Sequence, residues 1–310
     1  MTAGWVAGSV RAAAMARRRM GVTAARELAA CPSLTDAVEI VARSPYGREV
    51  RPDDRLAAAE RGVAATTLWN LRVLAGWLPA GGTEMIRLLA AWFEIANIDE
   101  HVYGFTTDPR TAGVPPFRLG SLATAWPRLS QTASPAELRA MLAASAWGDP
   151  GDDSAPAISL WLRVSWAARV FAGVIPARSW AAGAVALLVA RERFVARRPL
   201  AGAASEVIGR LLGGGWDRAA GLADFAGRLP SPARWALDGV TNTADLWRAE
   251  ARWWARLRRD GTTLVLRPAF GWQRPLGAVA ILAADAWLVR AALEIAARGG
   301  AHPEVWDALA

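Results

Sequence analysis

The sequence has no lysine. All 36 basic side chains are arginines, set against 28 acids for a net charge of +8. Without lysine there is no P-loop cation for a nucleotide's phosphates. There is also no amine for a Schiff base with pyridoxal phosphate or a carbonyl substrate. Cysteine is reduced to Cys31 alone, so no internal disulfide can form, which suits a reducing compartment. The two histidines, His101 and His302, lie far apart in the chain, and no His/Cys cluster has zinc spacing. Long hydrophobic runs are missing too. The longest uncharged stretch, Ser179 to Ala190, is flanked by Arg178 and Arg191 and falls short of the roughly 20 residues a spanning helix needs. The N-terminus lacks the pattern of a secretory signal. Its Arg11, Arg17, Arg18 and Arg19 read as a basic first helix, although a mitochondrial presequence has the same look. These features read as a soluble, intracellular chain.

What is abundant is helix-forming. Alanine, the best helix former, makes up about a fifth of the chain, far above usual composition, and tryptophan reaches 17 residues against 7 phenylalanines and 2 tyrosines. Leu56, Val63, Thr67, Leu71, Leu74 and Leu78 recur at helical spacing and predict a helix over 53–78, with Asp53 and Asp54 at its start and Pro79 and Gly81-Gly82 at its end. A second helix follows to Gly104. Ser134-Pro135-Ala136-Glu137 reads as a capping box, and Ser33-Leu34-Thr35-Asp36 as a shorter-armed variant. Ser231-Pro232 is expected to open a helix carrying Trp247, Trp253 and Trp254, and Pro275 the last long helix, stopped by Gly299-Gly300. Only Thr262 to Leu266 is β-branched enough for a strand, too short to support a sheet. The expected fold class is all-α. Long apolar helices with polar tails recur at 91–105, 181–194 and 281–300. That period of roughly 90 to 100 residues is too long for an ordinary solenoid but fits three copies of one small helical bundle.

Four segments carry a family resemblance. Trp5 to Met20 is similar to an opening aromatic–x–x–small–x–V–R–A helix. Ser33 to Val50 resembles a short helix ending in T–x–Y, with Ser44 in the threonine place and Tyr46 in the tyrosine place. Phe93 to Gly104 resembles a D/E–x–x–N–I/L element through Glu94 and Asn97. Arg274 to Gly300 resembles a closing helix with a late V–R pair, here Val289-Arg290. In order and spacing these segments resemble the central-stalk family of the A-type and V-type rotary ATPases known as the C subunits, or d subunits in eukaryotes. Two departures stand out. The middle repeat has alanine and valine where the acid and asparagine belong, and Trp287 and Leu288 replace the glutamate before the V–R pair.

The resemblance implies three pseudo-repeated helical bundles, over 1–105, 106–200 and 201–310, arranged as a funnel or wedge. It implies a non-catalytic rotor component, without cofactor or metal. Such a component seats the central shaft subunits D and F and rests on the membrane ring of ion-carrying subunits. It would be cytoplasmic and peripheral on the inner membrane face, with no spanning segment of its own. Arg17, Arg18 and Arg19, the densest basic cluster, are the candidate partner contacts.

Rival readings attach to other residues. The arginine excess points to nucleic acid, yet no helix-turn-helix, RNA-recognition or basic-zipper signature accompanies it; a helical binding protein associated with nucleic acid is the alternative. Asp53-Asp54 and Asp152-Asp153 invite comparison with magnesium-binding helical synthases, but neither pair has a third acid at the next helical turn. Cys31 and His101 suggest a nucleophile pair, against the plainer reading of a small buried thiol and a surface histidine. Gly213-Gly214-Gly215 reads as a turn rather than an anion loop. Trp235, Trp247, Trp253, Trp254 and Trp272 form a candidate ligand box, weighed against core or interface packing.

Overall fold

The computed structural model describes residues 3–106, 114–300 and 306; His302 and part of the 106–118 break lie outside them. The described residues are predominantly helical, without strand, in line with the alanine content and 3.6-residue periodicity. In chain order the α-helices are α1 (Ala3–Arg17), α2 (Gly21–Ala29), α3 (Leu34–Ala42), α4 (Leu56–Gly76), α5 (Ala80–Gly104), α6 (Trp126–Leu129), α7 (Pro135–Ala143), α8 (Ala155–Gly173) and α9 (Arg178–Ala190). Then follow α10 (Gly202–Leu212), α11 (Leu222–Arg228), α12 (Ser231–Arg234), α13 (Leu246–Leu266) and α14 (Gln273–Ala297).

The helices gather into two compact units. The first comprises Met1–Ile86 with Trp254–Ala310, and the second Arg87–Trp253. In the first unit α14 is the centre and packs against α1, α2, α3 and α4. Its residues are buried nearly all round, as expected of a helix that is apolar on every face. Leu28, Val38, Val41, Tyr46, Val63, Val289 and Leu293 form the surrounding core. Among the described residues α14 is also the one helix long and apolar enough to cross a membrane, and 78% of its most apolar window is buried. In the second unit Ile95, Ile98, Leu129, Leu138, Leu142, Trp147, Ile158 and Leu162 form one cluster, and α9 packs against α8, α10 and α12.

Several local expectations need correction. Thr262 to Leu266 is the last turn of α13, not a strand. Thr262 and Thr263 donate their hydroxyls to the carbonyls of Arg258 and Arg259, at 2.8 and 3.1 Å, the i−4 bonding by which a helical threonine satisfies its hydroxyl. Packing against α14 overrides β-propensity there. The helix expected from residue 53 starts at Leu56, because Asp54 is engaged in a turn, accepting the Arg51 N–H at 2.8 Å. Gly81 and Gly82 open α5 instead of ending α4. At Gly82 a Cβ would meet Leu78 Cβ at 2.9 Å and the Trp5 ring at 3.1 Å, so that tight turn requires glycine. Ser231-Pro232 opens only the short α12; Trp247, Trp253 and Trp254 sit on the separate α13. The Ser33 and Ser134 caps form, accepting from Asp36 and Glu137 N–H at 3.2 Å each, but the return bond of the Ser134 box goes one residue further, Glu137 accepting the Ala133 N–H at 2.8 Å. The closing helix ends at Gly299 and Gly300, with φ of +90° and +70°.

Helices α13 and α14 cross at glycine on both sides. A Cβ on Gly277 would lie 2.6 Å from the Gly261 carbonyl oxygen, and one on Gly261 2.8 Å from that of Gly277. Gly277→Ala is therefore expected to destabilise the first unit by about 1–3 kcal/mol through backbone displacement. Gly81→Ala, which meets nothing within 4 Å, should leave stability unchanged or slightly raised. Urea denaturation followed by circular dichroism measures both.

Candidate functional site

Two buried carboxylates organise the units. On α14, Asp285 is 2% exposed. It accepts three hydrogen bonds: from Met20 N–H at 3.1 Å, Gly21 N–H at 2.7 Å and the Tyr46 hydroxyl at 2.8 Å. Met20 has helical dihedrals and Gly21 a φ of +81°. This succession turns two adjacent N–H groups toward one point, the geometry that binds anions, and only glycine adopts it without strain. The carboxylate thus sits at the N-terminus of α2, where the helix dipole favours negative charge. Burial pushes the Tyr46 phenol well above its ordinary range, aided by the Asp285 charge and by the hydrogen bond it donates.

The second unit repeats the device. On α5, Glu94 is 0% exposed and accepts from Thr124 N–H at 2.5 Å, Ala125 N–H at 2.7 Å and the Trp147 indole N–H at 2.9 Å. It lies at the start of α6. Three residues on, the Asn97 amide brackets Phe117, accepting its N–H at 2.6 Å and donating to its carbonyl at 3.0 Å.

The segments that feed these carboxylates match in detail. Ser33 and Ser134 cap α3 and α7, and eleven residues later stand Ser44 and Ser145. Each of these donates back to the end of its helix, Ser44 to Val41 at 2.6 Å and Ser145 to Leu142 at 2.8 Å. Each accepts the N–H of the aromatic residue two places on, at 3.1 Å in both cases. The aromatic carbonyl then accepts a hydroxyl from the next long helix: Thr66 on α4 reaches Tyr46 at 3.3 Å, and Ser165 on α8 reaches Trp147 at 2.7 Å. A weaker echo follows Ser231. Asn242, again eleven residues on, accepts the Ala244 N–H at 2.9 Å. There the facing helix α9 carries no acid, and its Gly183 packs directly on Trp235 and Ala236.

Tyr46, Glu94 and Asn97, carried by the resemblance, are therefore all in use. Sequence reasoning misses Asp285. A signal for it exists: Asp285 and Val289 share the four-residue step of Glu94 and Ile98, although Leu288 replaces the asparagine.

The other sequence candidates fall elsewhere. Arg17 ends α1, and Arg18 and Arg19 follow it, all exposed. Asp152 accepts the Ser154 N–H at 2.7 Å in its loop. Among the described residues no three His, Cys, Asp or Glu side chains gather as a metal site. Cys31 is buried and directs its thiol at the Glu27 carbonyl, 3.6 Å away; burial, and next the Asp36 charge, raise its pKa. It belongs to the first unit and His101 to the second. His101 is not a free surface group: its Nε2 lies 3.1 and 3.0 Å from the Thr132 carbonyl and hydroxyl, and its ring meets those of Phe105 and Trp126 edge-on. Gly213 and Gly215 have positive φ and form a turn. The tryptophans are dispersed: Trp253 donates to the Trp180 carbonyl at 3.0 Å, Trp254 stacks on Trp287 with centroids 5.7 Å apart, and Trp247 is exposed.

No protein-family model matches this sequence, and no curated protein matches it at a significant level.

Asp285→Ala leaves three donors without their acceptor, so a loss of about 3 kcal/mol or more is expected from the desolvation penalty of unpaired groups. Glu94→Ala should cost a similar amount, each read from denaturant midpoints. Tyr46→Phe tests the phenol by its pH dependence. Because the folded-state pKa lies above the unfolded value of about 10, the phenol's contribution is complete below that pH and is lost as pH rises beyond it. The gap in melting temperature between wild type and Tyr46→Phe should therefore narrow above about pH 10.

Proposed function

We propose that the chain is a divergent, non-catalytic rotor component of a rotary V/A-type ATPase, related to the central-stalk C subunits. In this reading it seats the central shaft subunits D and F on the membrane ring of ion-carrying subunits, peripheral on the inner membrane face. Its thirds, 1–105, 106–200 and 201–310, are three helical bundles arranged as a funnel or wedge.

The observation that carries the reading is the recurrence of one hydrogen-bonded device that takes in Tyr46, Glu94 and Asn97, three residues the resemblance singles out, together with Asp285, which it does not. In two occurrences a late long helix of one third supplies a carboxylate to the short helices of another; in the third the long helix α9 carries no acid. Glu94, from the first third, holds Ala125 and Trp147 of the second. Asp285, from the last third, holds Gly21 and Tyr46 of the first. Within the second unit α9, from the second third, packs on α12 of the last. Each third thus lends its long helix to the next in order, and the last lends to the first, a succession in keeping with three repeats. The mechanics support the reading as well. A torque coupler has to be stiff, and close helix packing with hydrogen-bonded turns provides stiffness where mobile loops would not. Tryptophan and arginine, abundant here, are the side chains enriched at protein interfaces.

Affinity purification of the full chain from its own host tests the proposal. Co-recovery of a pair of long coiled helices and an ion-carrying ring is expected, with little DNA retained at physiological salt. Recovery without such partners, together with DNA binding that falls steeply with salt, would replace the proposal with the nucleic-acid reading.

A further inference from the structure

We propose that an open cleft where the end of α1, the end of α13 and the start of α14 meet binds a phosphate group carried on an apolar chain, as in the headgroup region of an anionic lipid. The inference concerns the first unit alone and does not depend on the rotor reading.

The cleft has a volume of about 380 Å³, within the range of small-molecule sites. Arg17, Arg19 and Arg274 line it, with Val265, Leu266 and Ile281 as an apolar wall. The three guanidiniums have no carboxylate partner among the described residues. Arg19 donates to the Ala16 carbonyl at 2.7 Å. Arg274 donates through Nε to the Arg267 carbonyl at 3.2 Å and lies 4.8 Å over the Phe270 ring. Each arginine has five donors, so most of this capacity is not taken up by the contacts named.

Helix electrostatics account for only part of this cluster. Arg17 and Arg19 stand at the C-terminal end of α1, where cations are favoured. Arg274 does not fit that account. It lies in the first turn of α14, the positive end of a 25-residue helix with no acid in that turn. A cation is disfavoured there unless an anion joins it. Positive charge is already dense nearby: the Arg258 guanidinium is pulled below its usual range by burial first, and then by the charges of Arg19 and Arg259. The acid that organises this unit, Asp285, is committed to Met20, Gly21 and Tyr46. A phosphate is the anion arginine forks match best. The apolar wall favours the lipid-borne form: Leu266, 75% exposed, lines the same cleft as Arg17 and Arg274, where an acyl chain would take its surface out of water.

The test uses the full chain and vesicles of phosphatidylcholine with and without phosphatidylglycerol. The cleft variant Arg17→Ala/Arg274→Ala is compared with Arg43→Ala/Arg298→Ala, which removes two exposed arginines paired with Glu39 and Glu294 and changes the net charge equally. Unaltered circular dichroism confirms folding of both. Vesicle association should require phosphatidylglycerol and fall at least about tenfold in the cleft variant, with little change in the control variant. Inorganic phosphate, titrated calorimetrically, distinguishes the source. Phosphate binding lost only in the cleft variant, with no cleft-dependent vesicle binding, would overturn the lipid carrier and leave a free-phosphate site. Equal losses in both variants, or no binding of either probe, would overturn the proposal altogether.

Discussion

A buried carboxylate facing the first N–H groups of a short helix holds each unit of this fold in register. Burying a charge is costly unless it is fully hydrogen-bonded. Asp285 and Glu94 each meet that demand with two consecutive backbone N–H groups and one aromatic donor. The arrangement fixes three pieces of chain at one point: the entry to a short helix, the aromatic residue after the following helix, and the long helix bearing the acid. An apolar contact would tolerate sliding. Three directional bonds to a carboxylate do not, so the small helices keep one position on their long partner.

The same device explains the distribution of small residues. Long helices approach closely where glycine or alanine faces the partner, as at Gly261 and Gly277 and along the alanine-rich α9 and α14. Large aromatic groups are concentrated where a donor is needed. Trp147, 1% exposed, supplies its indole N–H to Glu94 while its backbone carbonyl accepts the Ser165 hydroxyl. Tyr46 plays the corresponding part with a phenol. Phenol and indole are interchangeable here because both combine a large apolar body with one donor at the rim. The third occurrence lacks the acid, and there helix and partner meet through glycine and indole carbon, a contact that needs no polar donor.

Much of the local structure is legible in the residues. The serine caps before α3 and α7, the end of α5 at Gly104 and the start of α14 near Pro275 follow from capping chemistry and periodicity. The misreadings have a common cause. Thr262 to Leu266 looks like a strand by composition, and Gly81-Gly82 looks like a stop. Both segments are helical, and packing on Leu78 and Trp5 at Gly82 and on Gly277 at Leu264 and Val265 accompanies it. His101 looks exposed because its neighbours Asp99 and Glu100 are charged. Thr132, 31 residues away, gives it a partner that no local pattern announces.

Local preference along the chain suffices for the class of structure. Alanine content, helical periodicity and serine-capped starts leave the chain no other regular conformation, because these preferences are local and add up along a helix. Composition likewise settles the chemistry on offer, since a chain with arginine as its only strong cation presents forks rather than point charges. Which polar residues matter is a question that packing answers. Asp285 is separated from Tyr46 by 239 residues, and the one-dimensional pattern around it, an acid set among apolar residues of a long helix, gives no partner. Arg274 and Arg17 become one cleft only when α14 and α1 pack together. Such pairings are set by the burial of apolar surface over the whole unit, a quantity that no short segment contains.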